Sequence, residues 1–287
     1  MITISAGAYS PLILHARISG LAVYLDNFAI KELAKGSPAR RQRFVGAIQD
    51  GAELLFSVSN AAELSGPRDG SFDAIRAFLN ELGPHWFPVE LDFNEVTKRE
   101  IQGAEPATCC ISKQFMKDYF NVLIGSYSAK GGQVVNLSEE FFRLGPVMDW
   151  LAPQRDSIRV ASEALDNALL NRIKKYRAEF ETDPRWLDKQ FPALPFDQLR
   201  PATFTYCNLI RTLVVEARSY HLKKGDGIDF CHSLMASAFA SVGTLDRHWK
   251  RRVESLPKPN KLARIYYSPE IDAMVDAIEI EVERHRR

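Results

Sequence analysis

The stretch GDGIDFCHSLMASAFASVGTLDRHWKRRV, residues 225–253, reads as helix, strand and helix in unbroken succession. Gly225 and Gly227 precede a run rich in small residues, IDFCHSLMASAFASV at 228–242, whose apolar positions recur at helical spacing. GTLD follows as a short strand ending in a carboxylate, and RHWKRRVESL returns to a helical pattern. Two acids mark this stretch. Asp229 opens the first helix, where free backbone N–H groups and the helix dipole favour negative charge. Asp246 ends the strand.

Beyond this stretch, ARIYYS at 263–268 is a further strand, and PEIDAMVDAIEIEVERH is a closing helix with Pro269 near its first turn. The N-terminal third has the same grammar. LAVYLD at 21–26 is a short apolar run ending in Asp26 and reads as a buried parallel strand. A helix runs from about Asn27 to Leu33, and a second, ARRQRFVGAIQDG, follows Gly36-Ser37-Pro38. ELLFSVS at 53–59 is the next strand, with Asn60 as the expected N-cap of the helix AAELSG, which carries Glu63. After a helix over 71–83, HWFPVEL at 85–91 reads as a strand that Pro88 places at an edge. NEVTKREIQG at 94–103 is helical. Strand–helix alternation predicts an α/β fold, a three-layer α/β/α parallel sheet.

Between these parts the pattern changes. Four segments between about 105 and 225 carry apolar residues at helical spacing, and none reads as a strand. DPRWLDKQFPALPFDQLRP is proline-rich and reads as a loop. The chain therefore divides into 1–104 as the first part of an α/β core, 105–204 as a helical insertion, and 205–287 as the second part of the core.

Composition sets outer limits. The 287 residues include 46% hydrophobic and 25% charged, which fits a globular protein with a sizeable core. The net charge of +1 gives no bulk attraction for nucleic acid, so any basic surface must be local. Cys109, Cys110, Cys207 and Cys231 form no CxxC pair or zinc-type cluster, and the reading is a reducing, cytoplasmic setting. MITISAGAYSPLILHARISG is neither a convincing signal peptide nor a membrane span.

Two strands end in Asp. In open α/β sheets, ligands bind outside the carboxyl ends of the strands. Carboxylates brought together there repel, and burying them costs several kcal/mol, of order of magnitude, unless a cation compensates. Mg²⁺ or Mn²⁺ prefers such hard oxygen donors. Glu63 and Asp229 sit at helix starts where they can join Asp26 and Asp246. Four such acids suit phosphodiester hydrolysis.

YLDNFAI, SVSNAAELSG and the 225–253 stretch, taken in that order, resemble the PIN-domain nucleases. The most specific part is Asp229 at a helix start, the Ala236–Ala240 run, Thr244-Leu245-Asp246 and then Trp249. The resemblance spans about 21–105 and 205–270 and implies a PIN-type sheet carrying a divalent-metal-dependent ribonuclease. It makes Asp26, Glu63, Asp229 and Asp246 both the catalytic residues and the ligands of Mg²⁺ or Mn²⁺, with Thr244 or Asn60 supporting them by hydrogen bonds. RNA is the implied substrate and DNA the alternative. A homodimer and an inhibitory protein partner fit the resemblance, and no membrane is implied.

Several residues admit two readings. Asp226 is a fifth acid or, more readily, a loop residue. His232, one turn after Asp229, contacts substrate or packs a helix. Glu53 opens a strand at the wrong end of the sheet to compete with Glu63. The basic stretch with Arg247, Lys250, Arg251 and Arg252 is a phosphate-binding strip beside Asp246 or a solvated helix face. Phe141, Phe142 and Trp150 read as core. Two rival functions share the residues: a catalytically inactive PIN fold that binds nucleic acid or acts as a scaffold, and a haloacid-dehalogenase-type phosphatase. The second needs D-x-D, and Phe28 stands two after Asp26. No Walker loop or GxGxxG occurs.

Overall fold

A computed structural model describes residues 2–5, 13–66, 70–129 and 142–286. Phe141 lies outside them, as does the segment 67–69. Near the N-terminus β1 (Ile2–Ser5) and β2 (Ile13–Ala16) pair antiparallel as a small separate sheet. The sequence reading assigned no strand here. Each run is four residues long, too short for a period of two to stand out.

The main sheet has five strands, all parallel: β3 (Leu21–Tyr24), β4 (Ala52–Ser57), β5 (Trp86–Val89), β6 (Val242–Thr244) and β7 (Arg264–Tyr266). Their order across the sheet is β5-β4-β3-β6-β7. The chain winds outward from β3 to β5, then returns to the other side of β3 and winds outward again. The order reverses between β3 and β6, which is where a doubly wound sheet opens a crevice at its carboxyl edge. Pro88 lies in β5, an edge strand, as its missing N–H requires.

Fourteen α-helices surround the sheets among the described residues. The first five, α1 (Asn27–Lys35), α2 (Pro38–Gln49), α3 (Val58–Leu64), α4 (Phe72–Glu81) and α5 (Phe93–Ile101), alternate with β3 to β5. Then come α6 (Pro106–Cys109), α7 (Lys113–Ala129), α8 (Leu144–Leu151), α9 (Arg155–Thr182), α10 (Arg185–Gln190) and α11 (Pro201–Val215). The last three are α12 (Asp226–Phe239), α13 (Arg247–Glu254) and α14 (Ile271–Arg286). The proline-rich stretch after α9, expected to be loop throughout, contains the short α10.

Both faces of the sheet are covered, which explains why β3 and β4 read as continuous apolar runs rather than alternating ones. Leu21, Val23, Leu54 and Phe56 pack on one face against α1, α2, α4, α8 and α14. Ala22, Tyr24, Leu55 and Phe87 pack on the other against α5, α11, α12 and α13. The arrangement is compatible with three α/β/α layers. The middle segment does not stand apart from these layers. Phe115 and Leu144 join the first apolar cluster, and Leu169, Ile173 and Phe191 join the second. Phe142 is buried and Trp150 packs against the first cluster. Among the described residues no helix is long and apolar enough to cross a membrane. Cys109, Cys110 and Cys231 are buried free thiols, and Cys207 is a half-buried one.

Candidate functional site

Asp26 and Asp246 occupy equivalent places. Each lies two residues beyond a strand, β3 or β6, and each caps the helix that follows. Asp26 accepts a hydrogen bond from Asn27 N and Asp246 from Trp249 N, at 2.6 and 2.8 Å. Because β3 and β6 are neighbours, with Tyr24 opposite Gly243, the two acids stand side by side at the switch point. Thr244 fastens the pair: its hydroxyl accepts from Asp26 N at 2.8 Å.

Glu63 comes from α3, on the β4 side. Asn60 does not cap this helix as the sequence suggested. The helix begins earlier, at Val58, and Ser57 is the cap. Asn60 is the third helical residue and closes a capping box: its N donates to Ser57 Oγ at 3.0 Å, and its Oδ1 accepts from Ser57 N at 3.1 Å. The Asn60 amide then donates to Asn27 Oδ1 at 2.9 Å, and Asn27 donates in turn to Glu63. Asn60 thus orients Glu63 through Asn27, a residue that the sequence reading missed. A capping-box position three residues after Ser57 is the signal that could have corrected Asn60. The meeting of Asn27 with Glu63 has no local signal.

Asp229 lies in the first turn of α12, which starts at Asp226. The start of this helix is held by a carboxylate from elsewhere. Asp166 of α9, buried at 3% exposure, accepts from Gly225 N at 3.0 Å and from Gly227 N at 2.7 Å. Gly225 takes the left-handed φ of 100° that leads into the helix. Gly227 is required for another reason: a Cβ there would meet Asp166 O at 2.7 Å.

The four acids share one field. Burial raises the Asp26 carboxyl to about 6, with Glu63 and Asp246 adding to the rise, while Asn27 N and Lys31 oppose it. Asp229 is raised to about 7, first by burial and then by the charges of Asp26, Asp246, Asp226 and Glu63. Glu63 is exposed as a side chain, yet nearby protein atoms desolvate its carboxyl enough to raise it, against the pull of Asn27 and Lys31. In all three burial is the largest cause, and for Asp26 and Asp229 the neighbouring acids add to it. The acids are nevertheless not drawn into one knot. Among the described residues, no three His, Cys, Asp or Glu side chains form a group that could hold a metal ion. The reason is visible in the hydrogen bonds: Asp26 and Asp246 turn toward the helices they cap, and Glu63 turns toward Asn27.

Beneath the acids lies a polar network that the sequence did not reveal. Tyr24, fully buried on β3, is hydrogen bonded to His232 Nδ1 on α12 and stands 3.5 Å from Asn60 Oδ1. Burial lowers His232 to about 4, so it is neutral at neutral pH. His232 therefore packs α12 onto β3 and is closed off from any phosphate. Asp226 is likewise structural, accepting from Tyr220 Oη at 2.7 Å and Lys223 N at 2.6 Å. Glu53 holds the opposite end of the sheet, accepting from Ser19 N and Gly20 N.

The basic strip divides. Arg252 is 5% exposed, bonds Glu216 at 3.0 Å, and lies over the rings of Tyr220 and Trp249. It is a packing residue, and its expected phosphate-binding role is corrected by this burial. Lys250 is paired with Glu270 and lies near Glu254. Arg247 and Arg251 are exposed.

A cleft of about 900 Å³ opens beside the acids. Glu63 and Asp229 line it from the core, and α9 lines it from the inserted segment. No family model matches this chain, nor does any curated protein or solved structure.

Proposed function

We propose that the chain is a divalent-metal-dependent nuclease of the PIN type that hydrolyses phosphodiester bonds, with RNA as substrate. One observation carries this reading: four acids drawn from distant parts of the sequence lie around the sheet's switch point, where burial, with the charges of the neighbouring acids adding to it, raises Asp26 to about 6 and Asp229 to about 7. A divalent cation compensates those charges, and the donor set, carboxylate oxygens alone, suits Mg²⁺ or Mn²⁺. Asp26, Glu63, Asp229 and Asp246 would hold it. Once bound, such an ion supplies an activated water and neutralises charge on the scissile phosphate.

The chain's own residues do the positioning. Thr244 tethers the backbone of Asp26 to the neighbouring strand. The Asn60–Asn27 relay aims Glu63. Asp166 fixes the start of α12, and with it Asp229. Arg247 follows Asp246 directly and Arg251 lies one turn further along α13; both are exposed and would meet the phosphate backbone.

Purified protein should cleave single-stranded RNA in Mg²⁺ or Mn²⁺ and stop in EDTA. Asp26→Asn should abolish cleavage, and Asn27→Ala should lower it by about ten- to a hundredfold, the usual effect of losing a ligand's hydrogen-bond partner. The second reading, an inactive PIN fold that binds nucleic acid, draws on the acids' turning toward their caps rather than toward one another. RNA binding without cleavage, unchanged by Asp26→Asn, would favour that reading over the nuclease.

A further inference from the structure

Helix α9 belongs to the inserted segment, yet it is built into the site. It packs against α12 and α3, the two helices that carry Asp229 and Glu63. Its Asp166 bonds Gly225 N and Gly227 N, so the helix is tied to the base of the cleft. Its first two turns place Arg155 and Arg159 on the cleft wall, and Lys224 joins them from the loop before α12. Arg155 lies across Gly66, where a Cβ would come within 2.9 Å of the guanidinium. Glu63 and Asp229 line the same cavity.

These cations have partners, but weak ones. Asp156 lies 3.5 Å from Arg155 and 3.9 Å from Arg159, and Glu163 lies 3.6 Å from Arg159 and 3.0 Å from Lys224. The three cationic side chains are 43%, 63% and 74% exposed, so solvent screens these pairs. A phosphate entering the cleft can therefore take over the cations at little cost.

We propose that the inserted segment supplies the substrate clamp: Arg155 and Arg159, with Lys224, grip the backbone of a single-stranded nucleic acid whose adjoining phosphate reaches Glu63 and Asp229. The inference deepens the nuclease reading and rests on it. The size of the cleft suits one strand, since a cavity of about 900 Å³ has room for a few nucleotides. Its lining sets the mode of recognition. Among the described lining residues none is aromatic, so bases find no stacking platform, and the grip falls on phosphates whatever the sequence.

The test is binding of a fluorescein-labelled single-stranded oligonucleotide in EDTA, followed by anisotropy over a salt series, with RNA and DNA strands and an RNA duplex as separate arms. The parent protein should bind the single strands better than the duplex. Arg155→Ala with Arg159→Ala should weaken single-strand binding about tenfold near 0.1 M salt. It should also flatten the plot of log K against log salt by about 1.4, two contacts at about 0.7 each. Asp156→Asn with Glu163→Gln should change binding in the opposite direction and tighten it, an effect that simple damage to the fold would not produce. Unchanged affinity and slope in the arginine variant would overturn the clamp while leaving cleavage by the parent, and hence the nuclease, standing. Weaker binding in the Asn/Gln variant, or a preference for duplex, would also overturn it. A parent protein that binds no arm in EDTA and cleaves none in Mg²⁺ or Mn²⁺ would sink the clamp and the nuclease reading together.

Discussion

Asp229 ionises near pH 7 in the folded chain against an ordinary value of 3.8, and burial is the main cause. Folding therefore favours the protonated carboxyl. The stability this contributes is fully present below about pH 4 and is lost as pH rises through about 7. Asp26 adds a loss of the same sign as pH rises through about 6. In metal-free protein, Asp229→Asn should raise the melting temperature at pH 7.5 and leave it unchanged at pH 4. One pKa unit corresponds to about 1.4 kcal/mol; because Asp229 is only partly buried, the expected gain is discounted to about 2 kcal/mol. A lower melting temperature at pH 7.5 would mean that Asp229 serves the fold rather than a cation. The places of Asp26, Asp229 and Asp246 were legible in the sequence because strand ends and helix starts are local patterns, whereas Glu63, expected in a first helical turn, lies in the last turn of α3 because that helix starts earlier, at Val58. Asn27, Tyr24 and Asp166 were not, because each matters through a partner at least 33 residues away.

Among elements, the start of α12 depends on α9. Asp166→Ala should destabilise the fold by about 2–3 kcal/mol, since it leaves buried backbone N–H groups of Gly225 and Gly227 without their acceptor. Gly227→Ala separates packing from propensity. Alanine favours a helix by about 1 kcal/mol over glycine, but here the added methyl meets Asp166 O, so a lower melting temperature is expected. A rise in melting temperature for either variant would show that α9 does not anchor α12. Sequence periodicity found α9 and the parallel strands because long amphipathic helices and short apolar runs carry strong periods. It could not show that the inserted segment is shared between both apolar clusters, since tertiary docking leaves no period. Arg252 was misread for a similar reason: in sequence it is one more cation in a basic run, and only the fold places Tyr220, Trp249 and Glu216 around it.

Across the whole molecule, the net charge of +1 leaves the acid cluster and its neighbouring cations to act locally. Mg²⁺ or Mn²⁺ should therefore raise the melting temperature clearly at pH 7.5, where the acids are ionised, and much less at pH 5, where Asp26 and Asp229 hold protons. Thermal melts with and without the ion at the two values decide it. An equal shift at both would place the ion somewhere other than this cluster.

The strand order also imposes a timetable on synthesis. β6 lies beside β3, yet Thr244, which ties the two, follows Asp26 by 218 residues. While a ribosome is still making the helical segment, β3 has β4 on one flank and an open edge of unpaired N–H and C=O groups on the other. That edge is a place where another strand can dock in error. The same delay governs the acids. Asp246 follows the helical segment, so the four acids cannot come together until that segment has been made.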